Sequence, residues 1–353
     1  MPVIDEYLKE ILAKKGSDLH FLAGDPPRIR LYGDLQPLRP DKLDKDFVQQ
    51  TLYEIMPKTA VQRFEEHDGA DFAYNMGEYG RFRVNVMRQL NGMGAVMRAI
   101  PSKALTLQQL NLPPAIHQLC RANNGLILVT GKTGSGKSTT LAAMIDDINS
   151  RVKGHILTIE DPIEFVHRRK ECLISQREVG VHTKGFAAAL QSGLREDPDV
   201  VLVGELRDYE TISIAVTAAE MGILVMGTLH TNGAAQTVDR MVNVFPADKQ
   251  SHVRTMLSTS LRGVVSQQLL QKADKSGRVA ALEILVNTPA VSNLIRQGKL
   301  DQLETTMQSG SQFGMRTMDN AIEQLLKDRI ITGKEAYKKG ISKAKFEPVK
   351  DQG

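Results

Sequence analysis

Residues 131–139, GKTGSGKST, concentrate more chemistry than any other stretch of the chain. They fit G-x-x-x-x-G-K-[ST] from Gly131 to Ser138. Gly131, Gly134 and Gly136 allow backbone angles that other residues avoid, so successive N–H groups can turn inward on phosphate oxygens. Lys137 is of a type and position to reach the β- and γ-phosphates, and the Ser138 hydroxyl to ligate Mg²⁺. Thr133, Ser135 and Thr139 complete the loop. A chance match to the four fixed positions is on the order of one in a hundred for a chain of this length, from average residue usage. The flanks reduce that further. Leu126 to Val129 is an apolar run of strand length, and Leu141, Met144, Ile145 and Ile148 have the spacing of a core-facing helix. A helix N-terminus adds partial positive charge at the loop. The expected ligands are ATP and Mg²⁺.

Three further stretches place reactive side chains where expected strands end. ILTIEDPIEF, 156–165, runs into Glu160, Asp161 and Glu164, with Pro162 forcing a turn. Carboxylates beside a triphosphate position Mg²⁺ or polarise the attacking water. In DVVLVGELRD, 199–208, Glu205 follows Gly204 at the tip of the apolar run Val200 to Val203. That is a Walker-B position with Glu in place of Asp, and a second metal ligand beside Ser138. In GTLHTN, 227–232, His230 ends another apolar strand. Taken singly, these groups read as solvated loop charge, helix caps or a structural histidine. Their convergence on one sheet edge with the phosphate loop favours catalysis.

The elements that must hold these groups alternate along the chain. Strands are expected at 126–130, 155–159, 200–204, 223–228 and 278–285, with helical patterns between several of them. This is the signature of a mostly parallel sheet covered by helices, an α/β fold with the ligand at the C-terminal ends of the strands. The last third turns helical, with Ala247 to Leu270 one long amphipathic pattern, Pro289 to Arg296 a helix closed by Gly298, and Thr317 to Asp328 another. The tail 334–350 has six Lys against two Glu and reads as a solvated, partly disordered end. Before residue 101 the pattern is α+β. Helices are expected at 3–15 and 43–56, and strands at Ser17 to Phe21, Arg28 to Tyr32 and Ala95 to Ile100. In 81–86, Phe82, Val84 and Val86 alternate with Arg81, Arg83 and Asn85. The organisation is a small domain over 1–100, a linker over 101–114, and the α/β domain with its helical C-terminal part over 115–353.

Composition bounds the rest. The chain has 353 residues, 41% hydrophobic and 24% charged, an ordinary globular balance. A net charge of +4, 5% aromatic content and no Trp argue against a nucleic-acid partner. Two cysteines, Cys120 and Cys172, form no CxxC and suit a reducing compartment. Neither a signal peptide nor an apolar run of spanning length is evident, so a cytoplasmic protein with no transmembrane segment is expected.

In combination, TGKTGSGKSTTLAAMI, ILTIEDPIEFVH, SQREVG, LREDPDVVLVGELRD and GTLHTN resemble the secretion-ATPase superfamily, and within it the branch that retracts type IV pili. SDLHF near the start and GRFRVN at 80–85 extend the resemblance over nearly the whole chain. The resemblance implies a PAS-like N-terminal domain, a RecA-like P-loop NTPase domain and a homohexamer. It implies an inner-membrane pilus platform protein as partner, with peripheral attachment at that membrane, and a paralogous motor ATPase as a further partner. Residue by residue, it makes Gly131 to Thr139 the Walker A, Glu160 to Glu164 the Asp box, Glu205 the Walker-B Glu and His230 the His-box histidine. Glu164 is the choice for activating water, with Glu160 next. It also brings Arg81, Arg83 and Arg98 of the N-terminal domain to the nucleotide, where guanidinium groups suit developing phosphate charge.

The sequence departs from that family at three places. Lys132 stands where Pro is usual, Met221-Gly222-Ile223 replaces TGH, and AVSNLIRQ at 290–297 replaces AIRNLIRE. The expected function is ATP-driven retraction of type IV pili, with an accessory or regulatory subunit of the retraction motor as the alternative.

Overall fold

A computed structural model describes residues 2–31, 34–100 and 104–351. Tyr32 and the start of the expected linker, 101–103, lie outside the described residues. The chain divides into two compact units, Met1–Lys103 with Pro162–Val166, and Ala104–Asp161 with His167–Gly353.

In the first unit, α1 (Ile4–Ala13) buries Ile4, Leu8 and Ile11 along one stripe. It is followed by β1 (Asp18–Leu22), β2 (Arg28–Leu31), β3 (Asp34–Pro37), α2 (Lys45–Ile55), α3 (Lys58–His67), β4 (Gly69–Asn75), β5 (Arg81–Gln89) and β6 (Gly92–Ile100). α2 begins where it does because the Asp44 carboxylate accepts the N–H groups of Asp46 and Phe47. The sheet is antiparallel throughout, in the order β3-β2-β1-β6-β5-β4. In β5 the expected alternation holds: Phe82, Val84 and Val86 enter the core with Phe21, Phe64 and Met97, while Arg83 is exposed and Arg81 half-buried. The sequence pattern does not announce α3 or β4. Only Ala60 and Phe64 of α3 are buried, too sparse a stripe to stand out, and β4 alternates poorly.

In the second unit, α4 (Pro114–Leu119) leads into β7 (Gly125–Thr130), α5 (Lys137–Asn149), β8 (His155–Glu160), β9 (Leu173–Glu178), α6 (Phe186–Gly193), β10 (Val200–Val203), α7 (Tyr209–Glu220), β11 (Leu224–Leu229), α8 (Ala234–Asn243), α9 (Gln250–Ser260), β12 (Leu261–Gln271) and β13 (Arg278–Val286). Helices α10 (Pro289–Gln297), α11 (Leu303–Ser309), α12 (Met318–Lys327), α13 (Gly333–Lys339) and α14 (Lys343–Phe346) follow. The sheet order is β13-β12-β7-β11-β10-β8-β9, parallel except for β13 against β12. β7 lies inside this sheet with helices on both faces. Leu126 and Leu128 pack on one side, Ile127 and Val129 on the other, and all four are fully buried. This is the RecA-like arrangement, preceded by a small α+β unit.

Two expectations are corrected. The pattern over 247–270 is not one helix: α9 ends at Ser260, and β12 pairs with β7 from Leu261. An apolar run buried on both faces carries no period that separates strand from helix, and Val264-Val265 decides for the strand once β7 offers a partner. The tail is ordered rather than solvated. The Thr332 hydroxyl caps α13 through the Glu335 N–H, and Ala336 and Phe346 are buried against Ile322, Ile331 and Leu270. Its lysines lie on the outside of a packed segment. The linker, too, is packed, for Leu107 and Leu112 join the core beside α4.

Candidate nucleotide site

The phosphate loop leaves β7 and enters α5 under the constraint of β12. Gly131 has φ +136° and Gly136 φ +90°, both closed to most side chains. A Cβ on Gly131 would lie 2.3 Å from the Gln267 carbonyl oxygen, and one on Gly136 2.7 Å from the Gln267 side-chain nitrogen. Gln267 is itself 3% exposed, and its amide oxygen accepts the Thr140 hydroxyl at 2.8 Å. One buried residue therefore lies against both ends of the loop and the first turn of α5, its backbone carbonyl at Gly131 and its side-chain amide at Gly136 and Thr140. Gly134, at the loop's crest, faces open space. The Lys137 ammonium donates to the carbonyls of Gly131 at 2.8 Å and Lys132 at 3.3 Å, which curls it over the loop. Thr133 and Ser138 are exposed and Thr139 half-buried. Ser135 is buried, and its hydroxyl makes no hydrogen bond. A concave loop of backbone donors, a curled lysine and an unsatisfied buried hydroxyl fit a phosphate chain.

The second cluster forms at the tips of β10 and β11. The Gly204 N–H donates to Ile159 O, the Thr228 hydroxyl to Gly204 O, and the Leu206 N–H to Thr228 O. These bonds fix Glu205 at the end of the buried run Val200–Val203. The Glu205 carboxylate receives Arg207 Nε at 2.6 Å, and His230 Nε2 lies 3.3 Å away. Burial pushes the Glu205 carboxyl up. The hydrogen bond and charge of Arg207, with those of His230, outweigh that and hold it below the usual carboxylate range. Arg207 is in turn raised, by its bond to Glu205 first and with a contribution from Asp161. The structure thus brings Glu205 and His230 together and adds Arg207, which sequence reasoning missed. Its signal was the spacing in ELRD, two residues after the Glu.

Glu160 sits at the end of β8, half-buried, where its Oε1 accepts the Thr158 hydroxyl at 2.7 Å and the Gln176 amide at 3.3 Å. Glu164 is half-buried between the buried side chains Ile163 and Phe165, in the segment that belongs to the first unit. Arg81, Arg83 and Arg98 are also in that unit. Arg83 and Arg98 are cross-strand partners, and Asp18 is opposite Arg98 on its other side. The Arg98 Nε donates to Asp18 at 2.8 Å. Burial raises the Asp18 carboxyl, but the Ser17 hydroxyl and Arg98 lower it further. Asp18, from SDLHF, thereby holds one arginine of an otherwise repulsive pair.

The loop after His230 is tied down from β12 and β13. The Gly233 N–H donates to the Ser266 hydroxyl at 2.9 Å, and the Ala234 N–H to Glu283 Oε1 at 2.7 Å. The other Glu283 oxygen accepts the Met318 N–H at the start of α12. Sequence reasoning missed Ser266 and Gln267 because β12 was read as helix, and Glu283, within an expected strand, because its partners Ala234 and Met318 are distant in sequence. The retained Arg296 of the altered segment 290–297 donates to the Ser258 hydroxyl, joining α10 to α9. Both cysteines are buried, and burial pushes the Cys120 thiol up to about 12. Among the described residues, no helix is long and apolar enough to cross a membrane.

Against known proteins, the family model "Type II/IV secretion system protein" matches residues 1–338. The chain belongs to this secretion-ATPase family. A relative in Pseudomonas aeruginosa, "Type IV pilus retractation ATPase PilT", is 50% identical over 93% of this chain and 95% of its own length. From the same organism, "Type IV pilus ATPase PilU" is 40% identical over 94% of this chain and 87% of its own. The solved structure "Crystal Structure of the Pilus Retraction Motor PilT and Bound ADP" superposes with a TM-score of 0.91 at 43% identity, covering 99% of both chains. As a secretion ATPase, the chain is an ATP-hydrolysing enzyme.

Proposed function

We propose that this chain is the motor that retracts type IV pili, removing pilin subunits at the pilus base at the expense of ATP. The observation that carries the reading is the phosphate loop gripped by Gln267, with Glu205 and His230 joined at the strand tips of the same unit. Its 50% identity to a retraction ATPase, against 40% to PilU, favours the motor over the accessory subunit. In this reading Lys137 exchanges the Gly131 and Lys132 carbonyls for β- and γ-phosphate oxygens. Ser138 and Glu205 hold Mg²⁺, which supplies charge neutralisation on the phosphates. Glu164 accepts the proton of the attacking water, while Glu160 keeps its strand end in place through Thr158 and Gln176. Arg81, Arg83 and Arg98 offer guanidinium groups to the γ-phosphate, and His230 reports the change through Glu205. Release of that clamp frees the first unit to move. The working assembly is a homohexamer at the cytoplasmic face of an inner-membrane platform protein, alongside a paralogous motor ATPase.

The test is retraction in cells. In a strain lacking its own retraction ATPase, this chain restores surface twitching, and the Lys137→Ala form does not. Restoration by both forms, or by neither while the wild-type protein is present and folded, would contradict the motor assignment.

A further inference from the structure

Glu283, within β13, is 5% exposed, and among the described residues no cation pairs with it. Its two oxygens serve two helices instead. Oε1 accepts the Ala234 N–H at 2.7 Å and Oε2 the Met318 N–H at 3.1 Å, and these are the first residues of α8 and α12. The helices do not need it equally. α12 has its own cap, the Thr317 hydroxyl on the Asn320 N–H, and Arg316 and Ile284 exchange two backbone hydrogen bonds that clip its start to β13. α8 begins at Gly233 with no side-chain cap of its own, so the N–H groups of Gly233 and Ala234 are left to Ser266 and Glu283. The Met318 bond is therefore redundant for α12 but not for the carboxylate. It fixes the rotation of the Glu283 side chain, so that Oε1 faces Ala234.

His230 begins the loop that Ala234 ends. Its side chain is 44% exposed, so little packing holds it, and its place beside Glu205 follows from the backbone after it. The Thr237 hydroxyl donates to Gly233 O at 2.7 Å and lies 2.8 Å from the Thr231 hydroxyl. These contacts close the loop on the first turn of α8, so a displacement of Ala234 carries Thr231 and His230 with it.

We propose that Glu283 is a positioning residue for ATP turnover: set in rotation by the Met318 N–H, it holds the start of α8 and so places His230 against Glu205. The inference rests on the role given to His230 under the proposed function. It makes the start of α12, buried in one cluster with Ala336 and Phe346 of the C-terminal segment, a support of the strand-tip groups.

The test compares M318P with M318A in the full chain. Both remove the buried Met318 side chain, and only M318P removes the N–H. Proline suits the first residue of a helix, and Thr317 before it already has the extended ψ of 163° that proline requires. Hydrogen exchange over 230–238, read without nucleotide, should be several-fold faster in M318P than in M318A. Relative to M318A, kcat of M318P should fall roughly tenfold with KM for ATP within about twofold, because a reacting group is misplaced while the phosphate loop is untouched. E283Q keeps the side-chain volume but loses one acceptor, and it should show the same split. Equal exchange over 230–238 in the two Met318 variants, or a change confined to 317–327, overturns the proposal. A KM that rises in step with the fall in kcat also overturns it, since that marks general loosening. So does a loosened loop with unchanged turnover, and H230A then tells which claim has failed. Normal turnover by H230A means that the role given to His230 in the proposed function is wrong, whereas slow turnover by H230A means that positioning by Glu283 is wrong.

Discussion

The phosphate loop and the strand-tip cluster are built in opposite ways. The loop is held by shape and by a buried neutral amide: Gly131 and Gly136 lie against Gln267, which also takes the Thr140 hydroxyl. The cluster is held by charge at the surface: the Glu205 side chain is 18% exposed, His230 44% and Arg207 65%. Buried neutral contacts ignore salt and pH, whereas half-exposed ion pairs respond to both. The difference teaches that the shape of the loop is fixed in the fold, while the charged groups at the strand tips are left tunable.

The largest effect should come from closing the loop's clearance. Gly136→Val puts a β-branched side chain at φ +90° and against the Gln267 amide. Strain of about 1–3 kcal/mol plus displacement of Gln267 should lower ADP affinity a hundredfold or more, with no relief in high salt. ADP titration checks it, and near-normal binding would break the claim that shape holds the loop. Next is Gln267→Ala, which strips Thr140 of its buried acceptor and leaves a void. It should cost about 2–4 kcal/mol in denaturant unfolding and raise KM more than it lowers kcat. The smallest effect belongs to the cluster. Arg207→Gln should cut turnover no more than about fivefold, since the Arg207 end of the ion pair is exposed. The sign of its pH effect is fixed. Arg207 holds the Glu205 carboxyl below its ordinary range, so removing it raises that carboxyl and moves the acid limb of kcat/KM to higher pH. High salt should move the wild-type limb the same way. A limb unmoved by both changes would show that the cluster is not tuned by charge.

The same contrast explains what could be read from the sequence. Gly131 to Ser138, Glu205 and His230 announce themselves because their residue types and positions after apolar runs are local properties. Gln267 and Glu283 do not, because their work is done across 127 and 49 residues, on Thr140 and Ala234. Val264-Val265-Ser266-Gln267 became legible as a strand only once β7 stood beside it. Asp18 and Arg207 belong to motifs that were recognised, yet their roles emerge only from who faces them: Arg98 across a ladder, and Glu205 across a turn. The tail misled because six lysines outweigh Ala336 and Phe346 in composition but not in packing.

The most direct measurement is phosphate release from Mg²⁺-ATP by the purified chain, wild type beside Glu164→Gln and Lys137→Ala. The account predicts turnover by wild type and a fall of about a hundredfold in each variant, the size expected for losing one positioned catalytic group. Glu164→Gln should still bind ATP, because the loop that binds it is untouched. A wild type that binds ATP and releases no more phosphate than the variants would contradict the account. The chain would then be a partner of an active motor and not the motor.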